Sequence, residues 1–277
     1  MIELLKSMGH DLIEWRSQIL SLAKITVQKE TKGTFFGWLW LIFKPAIYIF
    51  CFWFAIYIGL RGGKDMGYVE YLVWLAAGVV PWFMLKDAIG TGTRVFAKYR
   101  FLVCKVKFPV PLIPVFYELA ALLKHLLLLA VLLVVYLLAG GTLDVYFLQL
   151  PLIIVVMYLF CVGWSLLTSS ISAFSKDFAN LLGTLHTPLF WLSGVIFNVS
   201  NVSNPAIQWF LKFNPITFIV QSYRQVFSNG SVVSGQASGW VWSDPTFFWI
   251  GMGVVALTIV VGLLVFSRLR KDIPDVL

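Results

Sequence analysis

Residues 38–57, WLWLIFKPAIYIFCFWFAIY, hold a single charge, Lys44, in twenty positions. An α-helix rises about 1.5 Å per residue, so roughly 20 apolar residues cross the hydrocarbon layer of about 30 Å, and only a waterless solvent tolerates such a surface. This stretch makes the chain a membrane protein. Composition agrees: 60% of residues are hydrophobic and 12% charged, with a mean hydropathy of +0.87, whereas soluble domains carry about 25% charged residues. At 277 residues there is room for about six spans, short connections and one longer loop, and none for a second, soluble catalytic domain.

Apolar runs bounded by charge, Gly or Pro give six expected spans: 38–60, 71–85 with an extension towards 93, 116–139, 150–174, 181–197 and 247–266. Pro81 and Pro188 interrupt the second and fifth, and each is short by a turn. A seventh piece, 207–226, is broken by Lys212, Pro215 and Arg224, which points to a re-entrant or interfacial hairpin whose backbone is satisfied by protein or water. The expected fold is therefore all-α, with an N-terminal cytoplasmic helix in 1–33 and a six-span domain in 34–277. That domain carries a basic loop at 94–107 and an outer re-entrant segment at 199–240.

With the N-terminus inside, fifteen of the 21 cations fall on the inner side. Four fall outside, Arg61, Lys64, Lys212 and Arg224, and Lys44 and Lys124 lie within spans. Such a bias sets orientation and puts both termini in the cytoplasm. The net charge of +8 is thereby read as topology rather than as a nucleic-acid footprint. Residues 1–33 lack the compact apolar core and cleavage site of a signal peptide. Leu12, Trp15, Ile19, Leu20, Leu22 and Ala23 fall at three- and four-residue spacings instead, as in an amphipathic helix lying on the inner membrane surface or packed on a partner subunit. Cys51, Cys104 and Cys161 show no metal or disulfide pattern and are read as packing residues.

Catalytic patterns are absent from the sequence. Three histidines, His10, His125 and His186, come without a zinc motif, a nucleophile elbow or usefully spaced carboxylates, and GLRGGKD at 59–65 lacks the spacing of a phosphate loop. Charges in or near spans, Lys44, Lys86, Asp87, Glu118, Lys124 and His125, would mark an ion or proton relay if they lay mid-bilayer. All but the Lys124 and His125 pair fall within about two turns of a cytoplasmic helix end, where long side chains snorkel. The 94–107 loop alternates cations with Phe96, Tyr99, Phe101, Leu102 and Val103. That suits a short helix pressing an apolar face into a protein partner, or a basic segment attracting anionic lipid.

Four segments, in order and on the expected sides, resemble the permease subunits of type 2 ABC exporters for cell-surface polysaccharides, the O-antigen, rhamnan and teichoic acid exporters. They are the entry to the first span, with Lys32, Gly33, Thr34, Gly37, Trp38 and Pro45; KVKFPVPLIP at 105–114; FSKDF at 174–178; and NPITFIVQSYRQVF at 214–227. The C-terminal RLRKDIPDVL completes the likeness, which covers essentially the whole chain. At the inner turn the family often has Arg where this chain has Lys176.

The resemblance implies a homodimer of this chain in a bacterial inner membrane, paired with two copies of a cytoplasmic ATPase. That partner binds ATP and magnesium, and this chain holds no cofactor, no metal and no catalytic residue. It implies a coupling role for Phe96, Tyr99, Arg100, Phe101 and Leu102, with Lys176 and Asp177 as a smaller contact. It also implies an outer mouth closed by short helices in 204–229. The implied substrate is a glycan on a polyprenyl diphosphate, whose hydroxyls cannot cross hydrocarbon unaided. Aromatic faces suit a channel through which sugars slide, and the candidates are Phe35, Phe36, Trp38, Trp40, Tyr48, Trp53, Tyr57, Phe190, Trp191 and Phe197. The same rings also suit a lipid-facing or interfacial position. For the diphosphate, Lys29, Lys32, Lys44 and Arg94 are the candidate cations, since phosphate oxygens seek charge-assisted hydrogen bonds. The Asn-x-Ser sequons at Asn198, Asn201 and Asn229 are read as polar loop residues. An exporter of a drug or small lipid, a membrane-embedded glycan enzyme and a secondary transporter are the competing functions.

Overall fold

The computed structural model describes residues 2–60, 67–228 and 239–277, and every regular element among them is helical. Arg61 and Lys64, the Gly-Gly-Lys stretch and Asn229 lie outside the described residues. Two helices, α1 (Ile2–Glu14) and α2 (Arg16–Thr31), precede the first apolar run. α3 (Trp40–Trp53) continues as a π-helical stretch, Phe54–Leu60, and is followed by α4 (Tyr68–Ile89). The basic loop holds two short helices, α5 (Val95–Lys98) and α6 (Arg100–Cys104). Then come α7 (Leu112–Leu138), α8 (Leu150–Phe174) and α9 (Lys176–Leu192), the hairpin α10 (Pro205–Phe213) and α11 (Pro215–Phe227), and finally α12 (Pro245–Leu269) and α13 (Ile273–Val276).

Five helical stretches among the described residues are long and apolar enough to cross a bilayer: Gly37–Leu60, Tyr68–Lys98, Leu112–Leu138, Val145–Phe174 and Pro245–Leu269. They make this a multi-pass membrane protein. Pro81 and Pro188 do not end their helices but lie inside α4 and α9. Pro81 is buried, where neighbouring elements can re-satisfy the freed backbone, whereas Pro188 lies on the exposed side of α9. α9 has 17 residues, which at about 1.5 Å each fall short of the hydrocarbon thickness. It ends at Leu192 rather than 197 because Gly194 takes a left-handed φ of 67° that stops a helix there.

α4 is the hub. Most of its length is buried, including Tyr71, Trp74, Gly78, Trp82 and Met84, by contacts with α3, α7, α8, α9 and α11. α8 and α12 pack backbone to backbone: a Cβ on Gly163 would lie 2.9 Å from Ile259 Cα, and one on Gly262 would lie 2.5 Å from the Gly163 carbonyl. Small residues let membrane helices approach this closely, which substitutes van der Waals contact for a hydrophobic drive that lipid does not supply. α2 lies across α7 and buries Ile19, Ala23 and Thr26, with Trp15 and Leu22 partly covered. Leu12 and Leu20, expected on the same apolar stripe, stay exposed at 38% and 51%. The chain breaks at Trp15, which packs edge-on against Phe108, so α1 and α2 do not share one continuous face.

Candidate functional site

The basic loop is anchored on its inner side and open on its outer side. Phe96, expected to press into a partner, is fully buried against Phe266 of α12. Tyr99 packs edge-on against Phe116, and its hydroxyl lies 2.9 Å from Thr26 Oγ1 of α2. Thr26 already donates to the Leu22 carbonyl, so Tyr99 is the donor in that pair. Burial pushes the Tyr99 phenol up from its ordinary value and keeps it protonated. Leu102 is half-buried on the same cluster. Arg100 and Phe101 point outward, Phe101 at 65% exposure, and Lys176 and Asp177 are exposed at the start of α9. The root of the loop is pinned to the bundle. Thr93 Oγ1 lies 3.2 Å from Thr168 of α8, and buried Ser165 donates to Glu118 of α7 at 2.5 Å.

Beside this root, an ion cluster joins three helices. Lys124 of α7 contacts Asp87 of α4 at 2.7 Å and Glu30 of α2 at 3.1 Å. Lys124 and His125 have different partners: His125 Nε2 lies 2.7 Å from the Tyr223 hydroxyl of α11. The four candidate head-group cations are scattered. Lys29 and Lys32 are exposed at the end of α2, and Lys44 lies over Trp40 at 5.7 Å in a cavity of about 260 Å³. Arg94 donates to Asn180 at 2.8 Å and lines a larger cavity of about 500 Å³. The two cavities share Lys86 and Asp87.

At the other end of the bundle, Arg224, which the charge count set outside with the exposed cations, is 1% exposed. Its guanidinium lies 3.5 Å from the centroid of the Trp74 ring. It donates to the carbonyls of Gly194 at 2.6 Å and Phe197 at 3.3 Å, to that of Val195, and to that of Trp74 at 3.4 Å. The carbonyls of 194, 195 and 197 follow the end of α9, where helical partners have run out, and no unpaired carbonyl is cheap at that depth. Arg224 replaces the missing donors and sets a positive charge at the helix C-terminus, where the dipole favours it. The hairpin that carries it turns at Asn214, whose side chain caps α11 by accepting from Ile216 N and donates to Ser193. From Arg224 a run of stacked rings, Trp74, Tyr71, Tyr57 and Trp53, leads back to the first span at spacings of 5.7 to 5.8 Å.

The ten expected channel aromatics divide by exposure. Phe35, Phe36, Trp38 and Trp191 are exposed, Phe35 at 96%. Trp40, Tyr48, Trp53, Tyr57 and Phe197 are half-buried. Phe190 is 2% exposed among Tyr48, Phe52 and Trp82, so in this conformation it supports neighbouring rings rather than presenting a surface. The first span buries just 6% of its apolar window within this chain, so its outward rings face lipid or a second copy.

Sequence reasoning missed the Lys124 cluster and the Arg224 clamp for the same reason. Both depend on groups 27 to 150 residues apart. One local signal was legible: Gly194, two residues past an apolar helix, is a C-terminal stop, and a helix that stops inside a bilayer requires a nearby donor.

Two kinds of likeness accompany this geometry. Residues 17–228 match the family described as ABC-2 type transporter. The chain is also similar to the O-antigen export system permease protein RfbA of Myxococcus xanthus, 21% identical over 218 residues that cover 78% of this chain and 82% of the relative. A protein of the same name from Klebsiella pneumoniae is 22% identical over 247 residues, 89% of each chain.

Proposed function

The chain belongs to the ABC-2 type transporter family, and on that premise we propose that it forms the channel of an ATP-driven exporter for a polyprenyl diphosphate-linked polysaccharide. Members of the family are the membrane subunits of transporters whose ATPase is a separate partner subunit. The polymer is of the O-antigen, rhamnan or teichoic acid type, and it moves from the cytoplasmic to the outer face of a bacterial inner membrane. The observation that carries this reading is the near full-length similarity to relatives named for O-antigen export.

The working assembly is a homodimer with two ATPase subunits and both termini in the cytoplasm. Six crossings result when α9, extended by 193–197, completes a short span. The α10–α11 hairpin, whose turn shares a cavity with Phe160 and Trp164 in the middle stretch of α8 and with Leu189 near the end of α9, re-enters from the outer face. The ATPase grips Arg100, Phe101, Lys176 and Asp177. Phe96, Tyr99 and Leu102 carry the push inward to α12, α7 and α2, because packed side chains transmit a displacement that flexible ones absorb. Exposed Phe35, Phe36, Trp38 and Trp191 supply the first surface of a sugar-conducting wall, closed by the second copy. Lys29, Lys32, Lys44 and Arg94 attract the diphosphate.

The test pairs the chain with its co-expressed ATPase. Deletion of 95–103, or Phe101→Ser with Arg100→Ser, is expected to abolish the complex, and cells lacking the chain are expected to accumulate finished lipid-linked glycan inside. An unchanged complex refutes the coupling surface. Loss of glycan synthesis refutes export in favour of an enzyme, and an intact glycan with loss of a small lipid or drug from the medium refutes the polymer.

A further inference from the structure

We infer that the cavity of about 500 Å³ between α4, α5 and α9 is a binding site for a phosphate-bearing anion of the diphosphate class, with Lys86, Arg94 and Lys98 as its cations. The inference rests on the head-group reading above but places the group elsewhere than the sequence did. Of the earlier four cations it keeps Arg94, and it adds Lys86 and Lys98.

Charge accounting selects this cavity. Its carboxylate, Asp87, is engaged by Lys124 at 2.7 Å and is therefore not available to the cavity's own cations. Lys86 is half-buried, and among the described residues no carboxylate lies within 4 Å of Lys86, Arg94 or Lys98. Arg94 bonds one neutral amide, Asn180, and Lys98 sits 4.8 Å from the Tyr117 ring centroid. Three cations against the residual single negative charge of Lys124, Asp87 and Glu30 leave a formal surplus of two, and a diphosphate ester carries the matching charge. Arg94 and Lys98 are exposed and Lys86 is half-buried, so the donors face an open cavity that a ligand can enter, and the planar fork of Arg94 suits two phosphate oxygens at once.

Shape supports the same occupant. Gly183 lines the cavity and a Cβ there would come 3.8 Å from Arg94, so its missing side chain keeps the space open in front of the guanidinium. The neighbouring cavity of about 260 Å³ shares Lys86 and Asp87 and adds apolar Trp40, Leu41, Phe83 and Leu128. An anion held at Lys86 thus has an apolar wall beside the first span to take an aliphatic chain, alongside the charged lining of Glu30, Lys44, Asp87 and Lys124. A site for free inorganic phosphate would not need that wall.

The experiment uses the full chain in phosphatidylcholine nanodiscs and farnesyl diphosphate as the probe, with farnesol and inorganic pyrophosphate as competitors, read by native mass spectrometry. Wild type is expected to bind the probe and farnesol not to displace it. Displacement by pyrophosphate at equal concentration marks the diphosphate itself as the recognised group; displacement only by a prenylated diphosphate marks a lipid head group. Lys86→Gln with Lys98→Gln is expected to weaken binding roughly tenfold or more, one charge-assisted bond alone being worth about that factor. Lys86→Arg is expected to stay within about threefold. Lys105→Gln with Lys107→Gln, exposed cations of the same basic loop, removes equal charge from the same face and is expected to leave binding unchanged. Size-exclusion profiles of all variants confirm folding. If the cavity pair binds like wild type while Lys29→Gln with Lys32→Gln loses the probe, the cavity is wrong and the head-group reading stands at α2. If farnesol competes equally, or the loop pair loses as much as the cavity pair, the cavity assignment fails. If wild type does not bind, both readings fail.

Discussion

Replacement of Arg224 by Met tests whether a buried cation holds the end of a short membrane helix. The substitution keeps length and apolar packing but removes the guanidinium donors to the carbonyls of Gly194, Val195, Phe197 and Trp74. A buried acceptor left unpaired costs about 1–3 kcal/mol, and the two close ones, Gly194 and Val195, therefore cost about 2–6 kcal/mol together. Loss of the cation 3.5 Å from the Trp74 centroid adds about 1–2 kcal/mol. Relief from burying a guanidinium offsets roughly 3 kcal/mol of this. The expected net destabilisation is about 0–5 kcal/mol, centred near 2.5 kcal/mol, which at that centre is a fall in Tm of roughly 5–10 °C for a chain of this size. Thermal unfolding in detergent measures it, and hydrogen exchange should rise in the amides of 215–227. Gly78 supplies the internal control, because a Cβ there would come 2.6 Å from Arg224 Nη2 and 3.0 Å from the Val195 carbonyl. Gly78→Ala should destabilise the parent and add less in the R224M background, where the guanidinium contact is gone and only the Val195 carbonyl contact remains. If R224M melts within about 2 °C of the parent, or the two effects simply sum, Arg224 is not holding this helix end.

Other perturbations follow from the same contacts. Gly262→Leu forces a side chain into the Gly163 backbone and should cost about 3 kcal/mol or more, visible as loss of monodisperse protein after extraction, whereas Gly253→Ala, in open space on the same helix, should be silent. Lys124→Met leaves Glu30 and Asp87 facing each other unpaired. Because both carboxylates are partly exposed, the expected cost is a discounted ~1–2 kcal/mol, read as faster tryptic cleavage at Lys29 and Lys32, and Glu30→Gln with Asp87→Asn in that background should restore the parent rate.

Much of the bundle was readable without coordinates. Runs at 116–139, 150–174 and 247–266 anticipate α7, α8 and α12, since length and hydropathy alone decide whether a helix can sit in lipid. The turn at Asn214 was readable too, because Asn before Pro offers a cap and ends the preceding helix at once. The site was less readable. The basic loop looked like an outward apolar face, yet Phe96 turns inward, and Phe101 and Val106 remain as its large exposed apolar groups. A pattern of alternating cations and aromatics states that a segment is amphipathic without stating which side finds a partner.

Local chemistry thus dictated the membrane, the helices and their approximate ends, because in lipid each backbone must satisfy itself within a single segment. Tertiary packing alone decided the rest: that Arg224 is interior, that Lys124 meets Asp87 and Glu30, and that three cations with no carboxylate within 4 Å among the described residues share one cavity. Those outcomes depend on which distant donors and acceptors meet once the helices pack. Hydropathy averages over individual charges and cannot tell a wet cation from one enclosed by carbonyls.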